Sequence, residues 1–306
     1  MARATHFKAL ALLPAVALAG LTVACGASGN GGGSAPSSSA AASQVPAPVK
    51  DDKLAALVPD AVKADGKIVV GQDQTYPPNE FVDNGTVSGF DVDLGNAIGE
   101  KLGLKMEYQN AAFSGILAGL SSGSYELAMS SFTINAERLQ TVDMVSYYSA
   151  GTSLGVLKGN PDNITLDTLC GKNVAVQQGT VQVDDVTKRS GDCTKAGKPA
   201  INVQQFQAQT DVNLQLTTKR SQAMLADSPV VDYAVKQTDG AVEVVGQPYD
   251  TAPYGIALKK DQGTYSQAIQ GAVQALIDDG TYAKILAKWG LSTAGAITKA
   301  EINPAS

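Results

Sequence analysis

The segment SSFTINAER, which ends at Arg138, holds residue types that are suited to binding a carboxylate. Three hydroxyls lie within four residues, at Ser130, Ser131 and Thr133, and Asn135 is suited to cap a helix that begins just after it. An arginine in a first helical turn is locally unfavourable, because that helix end carries partial positive charge. Broken local rules tend to mark functional sites, and a guanidinium donates two parallel hydrogen bonds to a carboxylate. The segment therefore predicts a carboxylate-binding site, against the alternative of a solvent-exposed arginine whose stem covers some surface.

The elements that must position these side chains alternate between apolar, strand-like runs and helical repeats joined by short links. Such alternation predicts an α/β fold with a sheet rich in parallel strands. The predicted strands are 67–71, 105–108, 127–130, 151–157, 173–177, 201–205, 223–226, 242–245 and 253–258. The predicted helices are 53–63 with Pro59 inside it, 90–102, 113–122, 181–189, 211–219, one opened by 228–229, 265–277 and 281–289, with a helical turn at 164–169. The pattern restarts near residue 151, which predicts two lobes.

Polar segments follow four of the predicted strands. Asp73 and Tyr76 come after the first strand, and Ser131 and Thr133 come after the third. Gln177 and Thr180 mark the end of the fifth, and Asp227 follows the seventh. Ligands of α/β sheets bind beyond the carboxyl ends of the strands. Two lobes whose strand ends face each other would therefore form a ligand cleft.

The balance of charges excludes several classes of function. The chain has 23 Lys and Arg, 29 Asp and Glu, and one histidine, His6. Removing residues 1–24, which contain Arg3 and Lys8 and no acid, leaves 21 basic against 29 acidic side chains, a net charge of −8. This charge argues against nucleic acid and anionic lipid as partners. Losing His6 also removes histidine-based triads and zinc sites, so we expect no metal and no cofactor.

The N-terminal 49 residues predict export and anchoring. Residues 1–24 have the basic start and apolar core of a signal peptide and are too short for a stable membrane span. They run through LTVA into Cys25, which resembles the bacterial lipobox, in which the cysteine is lipidated. Residues 25–49 are mostly Gly, Ser and Ala, which predicts a flexible tether. We expect a lipid-anchored protein on the outer face of the bacterial cell membrane, with ordinary secretory cleavage as the alternative.

Two further cysteines, Cys170 and Cys193, remain after Cys25. An even number in an exported chain favours a disulfide, which would close a loop of about two dozen residues and contribute roughly 3 kcal/mol of stability. A pair of free buried thiols is the alternative.

Seven ordered segments resemble the family 3 extracellular solute-binding proteins of ABC importers, which bind polar amino acids. The resemblance covers about residues 65–290. The segments are DQTYPP at 73–78, GFDVDL at 89–94, SFTINAER at 131–138, VAVQQGT at 174–180, ADSPV at 226–230, PYGIA at 253–257 and DGTYAKI at 279–285. It implies a two-lobed, type II periplasmic-binding-protein-like fold with a cleft between the lobes and two hinge crossovers. The first lobe would comprise 50–152 and 253–290, the second 153–252, with a tail at 291–306.

The resemblance also implies roles for individual residues. Arg138 would bind the α-carboxylate of the ligand, with further donors from the backbone of Thr180 and Val181 at a helix N-terminus. Asp227 would take the α-ammonium, aided by the hydroxyl of Thr133 and the carbonyl of Ser131.

The remaining residues of the predicted site would meet the ligand's side chain. Tyr76 would cover it, Phe113 would form a second wall, and Asp73 would meet a basic or amide end. Ser130 belongs to the same predicted site, and Gln177, with Gln182, lines the loop of the second lobe.

Each assignment has a structural alternative. Asp227 could cap the helix opened by 228–229, and Tyr76 could be packing beside two prolines. Phe113 begins an apolar helix face, so core packing competes with ligand contact there. Asp73 could be a solvated loop acid, and Gly179-Thr180 an ordinary strand–helix turn.

The resemblance implies a monomeric receptor without catalytic activity. It would capture a polar amino acid by hinge closure and deliver it to a membrane permease. A zwitterion needs one cation and one anion site, and hydrogen bonds to charged groups are worth roughly 1.5–3 kcal/mol each. The competing class is an exported enzyme of the same fold, similar to the cyclohexadienyl dehydratases, and a third is a sensory or adhesion module. The predicted ammonium-binding Asp227 and the lipid anchor favour the receptor.

Overall fold

The computed structural model describes residues 48–305. The predicted signal peptide, Cys25 and the tether up to residue 47 lie outside this range. Within it, no helix has both the length and the apolar character needed to cross a bilayer.

The described chain alternates strands and helices, as predicted for an α/β fold. In chain order its strands are β1 (Lys67–Gln72), β2 (Thr75–Tyr76), β3 (Glu80–Asp83), β4 (Thr86–Ser88), β5 (Lys105–Asn110), β6 (Leu127–Thr133), β7 (Val142–Leu157), β8 (Asn173–Gln177), β9 (Asn202–Phe206), β10 (Ala223–Asp227) and β11 (Val242–Lys259). Its helices are α1 (Asp52–Leu57), α2 (Asp60–Lys63), α3 (Phe90–Leu102), α4 (Phe113–Ser122), α5 (Arg138–Thr141), α6 (Val181–Lys195), α7 (Gln209–Thr217), α8 (Ser228–Gln237), α9 (Tyr265–Asp278) and α10 (Thr281–Trp289), followed by a 3₁₀ turn at Thr293–Gly295.

Eight strands form one sheet in the order β5-β1-β6-β11-β7-β10-β8-β9, which extends through both lobes, and β2, β3 and β4 form a separate three-stranded sheet. In the first lobe β1 pairs in parallel with β5 and β6, and in the second lobe β8 pairs in parallel with β9 and β10. The long strands β7 and β11 pair with each other in antiparallel orientation. In the first lobe β11 also pairs with β6, and in the second lobe β7 also pairs with β10. Their register shifts between residues 245 and 252 of β11. The chain therefore crosses between the lobes twice, as the resemblance implied.

Each lobe has its own apolar core, because each sheet is covered by helices. In the first lobe α3, α9 and α10 bury residues such as Leu94, Ile98, Ile269 and Leu276 against the sheet. A second cluster packs α4 on the opposite face of the same sheet. In the second lobe two further clusters lie on either side of β8 and β10. The carboxyl ends of β1, β6, β8 and β10 can thus face one another without belonging to one core.

Several predicted boundaries were wrong. The predicted strands 242–245 and 253–258 form the single strand β11, and the strand predicted at 151–157 begins at Val142. At 164–169 a single turn forms, in which the N–H of Thr168 donates to the carbonyl of Thr165 at 3.0 Å, and no helix follows. The side chain of Asn160 bonds both the N–H and the carbonyl of Ile164 and so competes with a helix. Pro59 divides the predicted first helix into α1 and α2.

The second-lobe cysteines are joined in a disulfide. Cys170 and Cys193 have Cα atoms 5.6 Å apart, so the predicted pairing is present. The helix predicted at 181–189 extends further, because α6 continues through Cys193 to Lys195. The helix extends because Val186 and Cys193, seven residues apart, are buried on the same helix face.

The C-terminal segment is ordered against the first lobe. The N–H of Ser146 donates to the carbonyl of Glu301 at 2.9 Å, and the N–H of Asn303 donates to the carbonyl of Met144 at 2.7 Å. The Asn303 side chain in turn accepts the N–H of Met144 at 2.7 Å. The segment therefore covers the edge of β7 that β10 does not reach.

Candidate functional site

Arg138 lies at the cleft and is surrounded by neutral groups, an asparagine side chain and two aromatic rings. Its backbone N–H donates to Asn135 Oδ1 at 2.8 Å, as the predicted cap requires. Its guanidinium lies 5.5 and 5.4 Å from the ring centres of Phe113 and Phe132. Burial lowers the pKa of Arg138, but a guanidinium remains protonated in proteins. The cation is therefore fixed in the cleft, which excludes the alternative of a freely solvated surface arginine.

The same guanidinium reaches across the cleft. It donates to the carbonyl of Thr133 in the first lobe at 2.8 Å and to the carbonyl of Gly179 in the second at 3.1 Å. Carbonyl acceptors leave its full positive charge unpaired. It can therefore still bind an anion.

Asp227 faces the cavity and does not cap the helix that follows it. Its backbone occupies the N-cap position of α8, but its side chain makes no capping hydrogen bond. Instead Gln182 Nε2 donates to Oδ1 and the Tyr254 hydroxyl donates to Oδ2, each at 2.8 Å. Burial raises the pKa of Asp227, while these hydrogen bonds and the charge of Arg138 oppose that rise. The side chain is thus a buried acid whose ionised form its neighbours favour.

A narrow cavity lies between these two charges. Its lining residues come from both lobes and are Tyr76, Phe113, Ser131, Thr133, Arg138, Gln177, Thr180, Val181, Gln182 and Asp227. The space in it is about that of one water molecule. An amino acid therefore enters only if the lobes separate.

Asp73, which was predicted to meet the ligand's side chain, is buried behind the lining. Thr75 donates to its Oδ1 through both the backbone N–H at 3.0 Å and the hydroxyl at 2.6 Å. Its Oδ2 accepts from the N–H of Phe113 at 3.1 Å and from Gln177 Nε2 at 2.8 Å. Burial raises the pKa of Asp73, and these bonds counteract that rise. The solvated-acid alternative is excluded, since Asp73 is only 2 % exposed.

The two predicted serines differ in position. Ser130 does not line the cavity, because its hydroxyl donates to Glu80 Oε1 at 2.7 Å and accepts the N–H of Asp73 at 3.0 Å. Ser131 does line it, with a backbone φ of +53°. A non-glycine residue in this left-handed region persists only when its surroundings hold it there.

The aromatic residues both pack and line the cavity. Tyr76 lies within the apolar cluster of the second lobe, and its hydroxyl accepts the N–H of Asp227 at 3.3 Å. Phe113 stacks on Phe132 with ring centres 4.7 Å apart. Packing and cavity lining are therefore not exclusive at these two positions.

The start of α6 supplies backbone donors. Thr180 precedes the first helical residue, Val181, and its hydroxyl donates to the carbonyl of Gln177 at 2.8 Å. N–H groups of a first helical turn have no acceptor within the helix. Those at Thr180 and Val181 are available to an anion bound at Arg138.

Three residues around the site were not predicted. Tyr254 bonds Asp227 directly, and Glu80 and Asp91 lie under Ser130 and Ser131. Tyr254 and Asp91 belong to two of the matched segments, PYGIA and GFDVDL, so the sequence contained a signal that was assigned no role.

A larger cavity, of about 420 Å³, lies between the lobes beyond the start of α8, and its lining includes Asp232, Lys236 and Trp289. We place the candidate site in the smaller cavity because the buried Asp227 and the unpaired Arg138 converge there. Within residues 48–305, no group of three or more metal-ligating side chains is arranged around one point.

The family model of the bacterial extracellular solute-binding proteins, family 3, matches residues 68–292. The arginine-binding protein ArgT of Corynebacterium glutamicum is 34% identical over 261 residues, which is 85% of this chain and 84% of that protein.

Two solved structures are similar as well. An ancestral arginine-binding protein bound to arginine is 36% identical, with a TM-score of 0.68, over 73% of this chain and 98% of its own. The ancestral amino acid-binding protein AncCDT-1, a precursor of cyclohexadienyl dehydratase, is 32% identical, with a TM-score of 0.66, over 75% and 98%.

Proposed function

We propose that this chain, which belongs to the bacterial extracellular solute-binding proteins of family 3, is the receptor of an ABC importer for a cationic amino acid, arginine first among them. The two-lobed α/β fold is that of the solved amino acid-binding proteins to which it is similar. We assign the lobes the bounds given above, with residues 50–152 and 253–290 in the first lobe and residues 153–252 in the second.

One observation carries the proposal: Arg138 and Asp227 face one cavity from opposite lobes without pairing with each other. Neither forms an ion pair within the described chain, and the hydrogen-bond partners of both are neutral groups. An α-carboxylate fits Arg138 together with the first-turn N–H groups of α6, and an α-ammonium fits Asp227. Only a ligand with both charges satisfies both lobes, so binding favours the closed hinge.

Asp73 supports a cationic side chain. Its Oδ2 already accepts an N–H from Gln177, which belongs to the opposite lobe. A ligand guanidinium can replace that amide with charge-assisted bonds, and such bonds are stronger than those of a neutral donor. The arginine-binding relatives point to the same ligand class.

The rest of the transport cycle follows from this assignment. The receptor would be exported by residues 1–24, held at the outer face of the membrane through lipidated Cys25, and linked to the fold by the 25–49 tether. A membrane permease would receive the amino acid from the closed form. A Cys25→Ala variant should then appear in the culture medium and not in the membrane fraction.

The test is a thermal-shift and calorimetric screen against the twenty amino acids and prephenate. Arginine should raise the melting temperature, because a ligand that binds only the folded state stabilises it. The rise should disappear in Arg138→Ala. In Asp73→Asn arginine should lose at least tenfold in affinity, while glutamine, if it binds at all, should lose less.

The same screen includes a control variant, and two of its outcomes would contradict the proposal. Arg189→Ala removes an arginine that pairs with Asp185 on the second lobe, away from the cavity, and should leave the shift intact. A shift that survives Arg138→Ala would contradict the site assignment. A shift with prephenate alone, accompanied by its turnover, would favour the dehydratase class.

A further inference from the structure

Two buried carboxyl groups, Glu80 and Asp91, lie directly beneath the ligand cavity. Both side chains are fully buried, and both approach the hydroxyl of Ser131, at 3.4 Å from Glu80 Oε2 and 3.3 Å from Asp91 Oδ2. Because both approach the same hydroxyl oxygen, the two carboxyl groups lie close together. Two ionised carboxylates cannot be accommodated so close together without a cation.

Among residues 48–305, neither carboxylate of this pair forms an ion pair with a lysine or arginine. The titratable groups named beside the pair are acids as well: Asp73, Tyr76, Tyr108 and Tyr147. One shared proton therefore has to remain on the pair.

The hydrogen bonds assign that proton. Glu80 Oε1 accepts from Ser130, which leaves Oε2 to carry a proton towards Asp91. Asp91 accepts from the Tyr147 hydroxyl at 2.8 Å and from the N–H of Ser131 at 3.0 Å, which favours its ionised form. Burial and the neighbouring Asp91 raise the pKa of Glu80 well above its usual range. Burial raises the pKa of Asp91 to about 6, against the hydrogen bonds from Tyr147, Glu80 and Ser131.

Ser131 connects this pair to the cavity. Its N–H donates a hydrogen bond to Asp91, and its hydroxyl accepts one from the side-chain amide of Asn79. The same hydroxyl approaches both carboxyl groups. The carbonyl is the polar atom that remains for the cavity, which Ser131 lines. Its left-handed backbone requires support, and the hydrogen bonds that its N–H donates to Asp91 Oδ2 and to the Tyr147 hydroxyl supply it.

We infer that Glu80 and Asp91 are a positioning pair that holds Ser131 for the ligand's ammonium. The shared proton stays on Glu80, and Asp91 releases the second proton, which it takes up in acid, when the amino acid binds. This inference rests on the proposed function, because it concerns the same site. The bound ammonium favours ionised Asp91, so the proton that the free protein takes up at low pH must leave before binding. The affinity should fall by up to tenfold per pH unit below about pH 6.

The experiment is calorimetry with arginine between pH 5 and pH 8, in buffers of different ionisation enthalpy, so that proton release is counted directly. In Asp91→Asn the affinity at pH 7.5 should fall at least tenfold, and the proton release should be smaller than that of the wild type. Glu80→Gln should bind within about threefold of the wild type with the same proton release, because an amide reproduces a protonated carboxyl. Asp227 titrates in both proteins, so only the difference between variant and wild type is assigned to the pair.

Tyr147→Phe and Glu126→Gln complete the test, also in case Asp91→Asn does not fold. Tyr147→Phe removes a donor that lowers the pKa of Asp91, so the pH below which affinity falls should move upward. Glu126 accepts the N–H of Val69 at the opposite end of β6, and Glu126→Gln should leave the profile unchanged.

The outcomes separate the two proposals. Wild-type protein that binds no amino acid would overturn the proposed function itself. Three outcomes would overturn the positioning pair alone, in a wild-type protein that does bind. The pH dependence of arginine affinity could be unchanged in Tyr147→Phe, or Glu80→Gln and Asp91→Asn could lose the same affinity. Proton release in Asp91→Asn could also be as large as in the wild type.

Discussion

Removing the hydroxyl of Tyr254 tests how Asp227 is kept ionised. Tyr254 is 1 % exposed, and its hydroxyl donates to Asp227 Oδ2 at 2.8 Å. In Tyr254→Phe the Asp227 carboxylate keeps its hydrogen bond from Gln182. It loses the bond from Tyr254, which opposes most strongly the rise of its pKa caused by burial. A hydrogen bond to a charged group contributes about 1.5–3 kcal/mol. The free energy of unfolding should therefore fall by about 2 kcal/mol, which lowers the melting temperature by about 4–8 °C in a chain of this size.

The pH dependence follows from the direction of the pKa shifts. The bond from Tyr254 favours the ionised form of Asp227, so its contribution is present above the pKa of Asp227 and is lost as the pH falls through it. The stability gap between variant and wild type should be widest at pH 8 and should narrow towards pH 4. Arginine affinity should fall in the same acidic range, earlier in the variant, because its Asp227 has the higher pKa.

The assay is thermal denaturation of ligand-free protein from pH 4 to pH 8, followed by calorimetry with arginine. Tyr265→Phe is the matched control, since Tyr265 is equally buried and its hydroxyl has no hydrogen-bond partner among the described residues. That substitution should be neutral or slightly stabilising. A gap that stays constant across this pH range, or equal losses in both variants, would refute the role given to Tyr254.

Three further changes give distinct outcomes. Replacing Cys170 and Cys193 by serine should cost about 3 kcal/mol of stability, by urea denaturation, and leave arginine affinity unchanged, because the disulfide lies outside the cavity. Gln177→Ala should not weaken arginine binding by more than about threefold, because the guanidinium replaces this amide at Asp73; a tenfold loss by calorimetry would contradict that. Asn303→Ala should lower the melting temperature by a few degrees without affecting binding, because its side chain holds Met144 at the edge of β7.

Much of the fold was predictable because it depends on local patterns. The helices α3 and α4 have the predicted bounds, since their apolar faces and closing glycines are local signals. The continuous strand β11 was predicted as two, because its middle is exposed and irregular and has no strand-like alternation. The C-terminal segment 291–305 has no strand pattern either, and its order depends on the free edge of β7, which no local pattern shows.

The site was predictable only where a residue faces the cavity. Arg138 was predicted from its residue type and local sequence and Asp227 from the resemblance, and both line the cavity. Tyr254 and Asp91 were not predicted, because their importance depends on contacts with residues 27 and 40 positions away in the chain. A sequence pattern identifies the charge, but the groups that tune it become visible only in three dimensions.

The cost of burying unpaired charges explains why two lobes are used. A buried charge without a counter-ion loses several kcal/mol of hydration, even when neutral groups bond it. When the lobes are apart, Arg138 and Asp227 are more hydrated, so each pays less of this cost. Closure removes that water, which is favourable only if a ligand supplies an anion to one and a cation to the other. We propose that the free energy of binding is converted into the preference for the closed form. In Arg138→Ala an amino acid should therefore no longer shift the lobes towards closure.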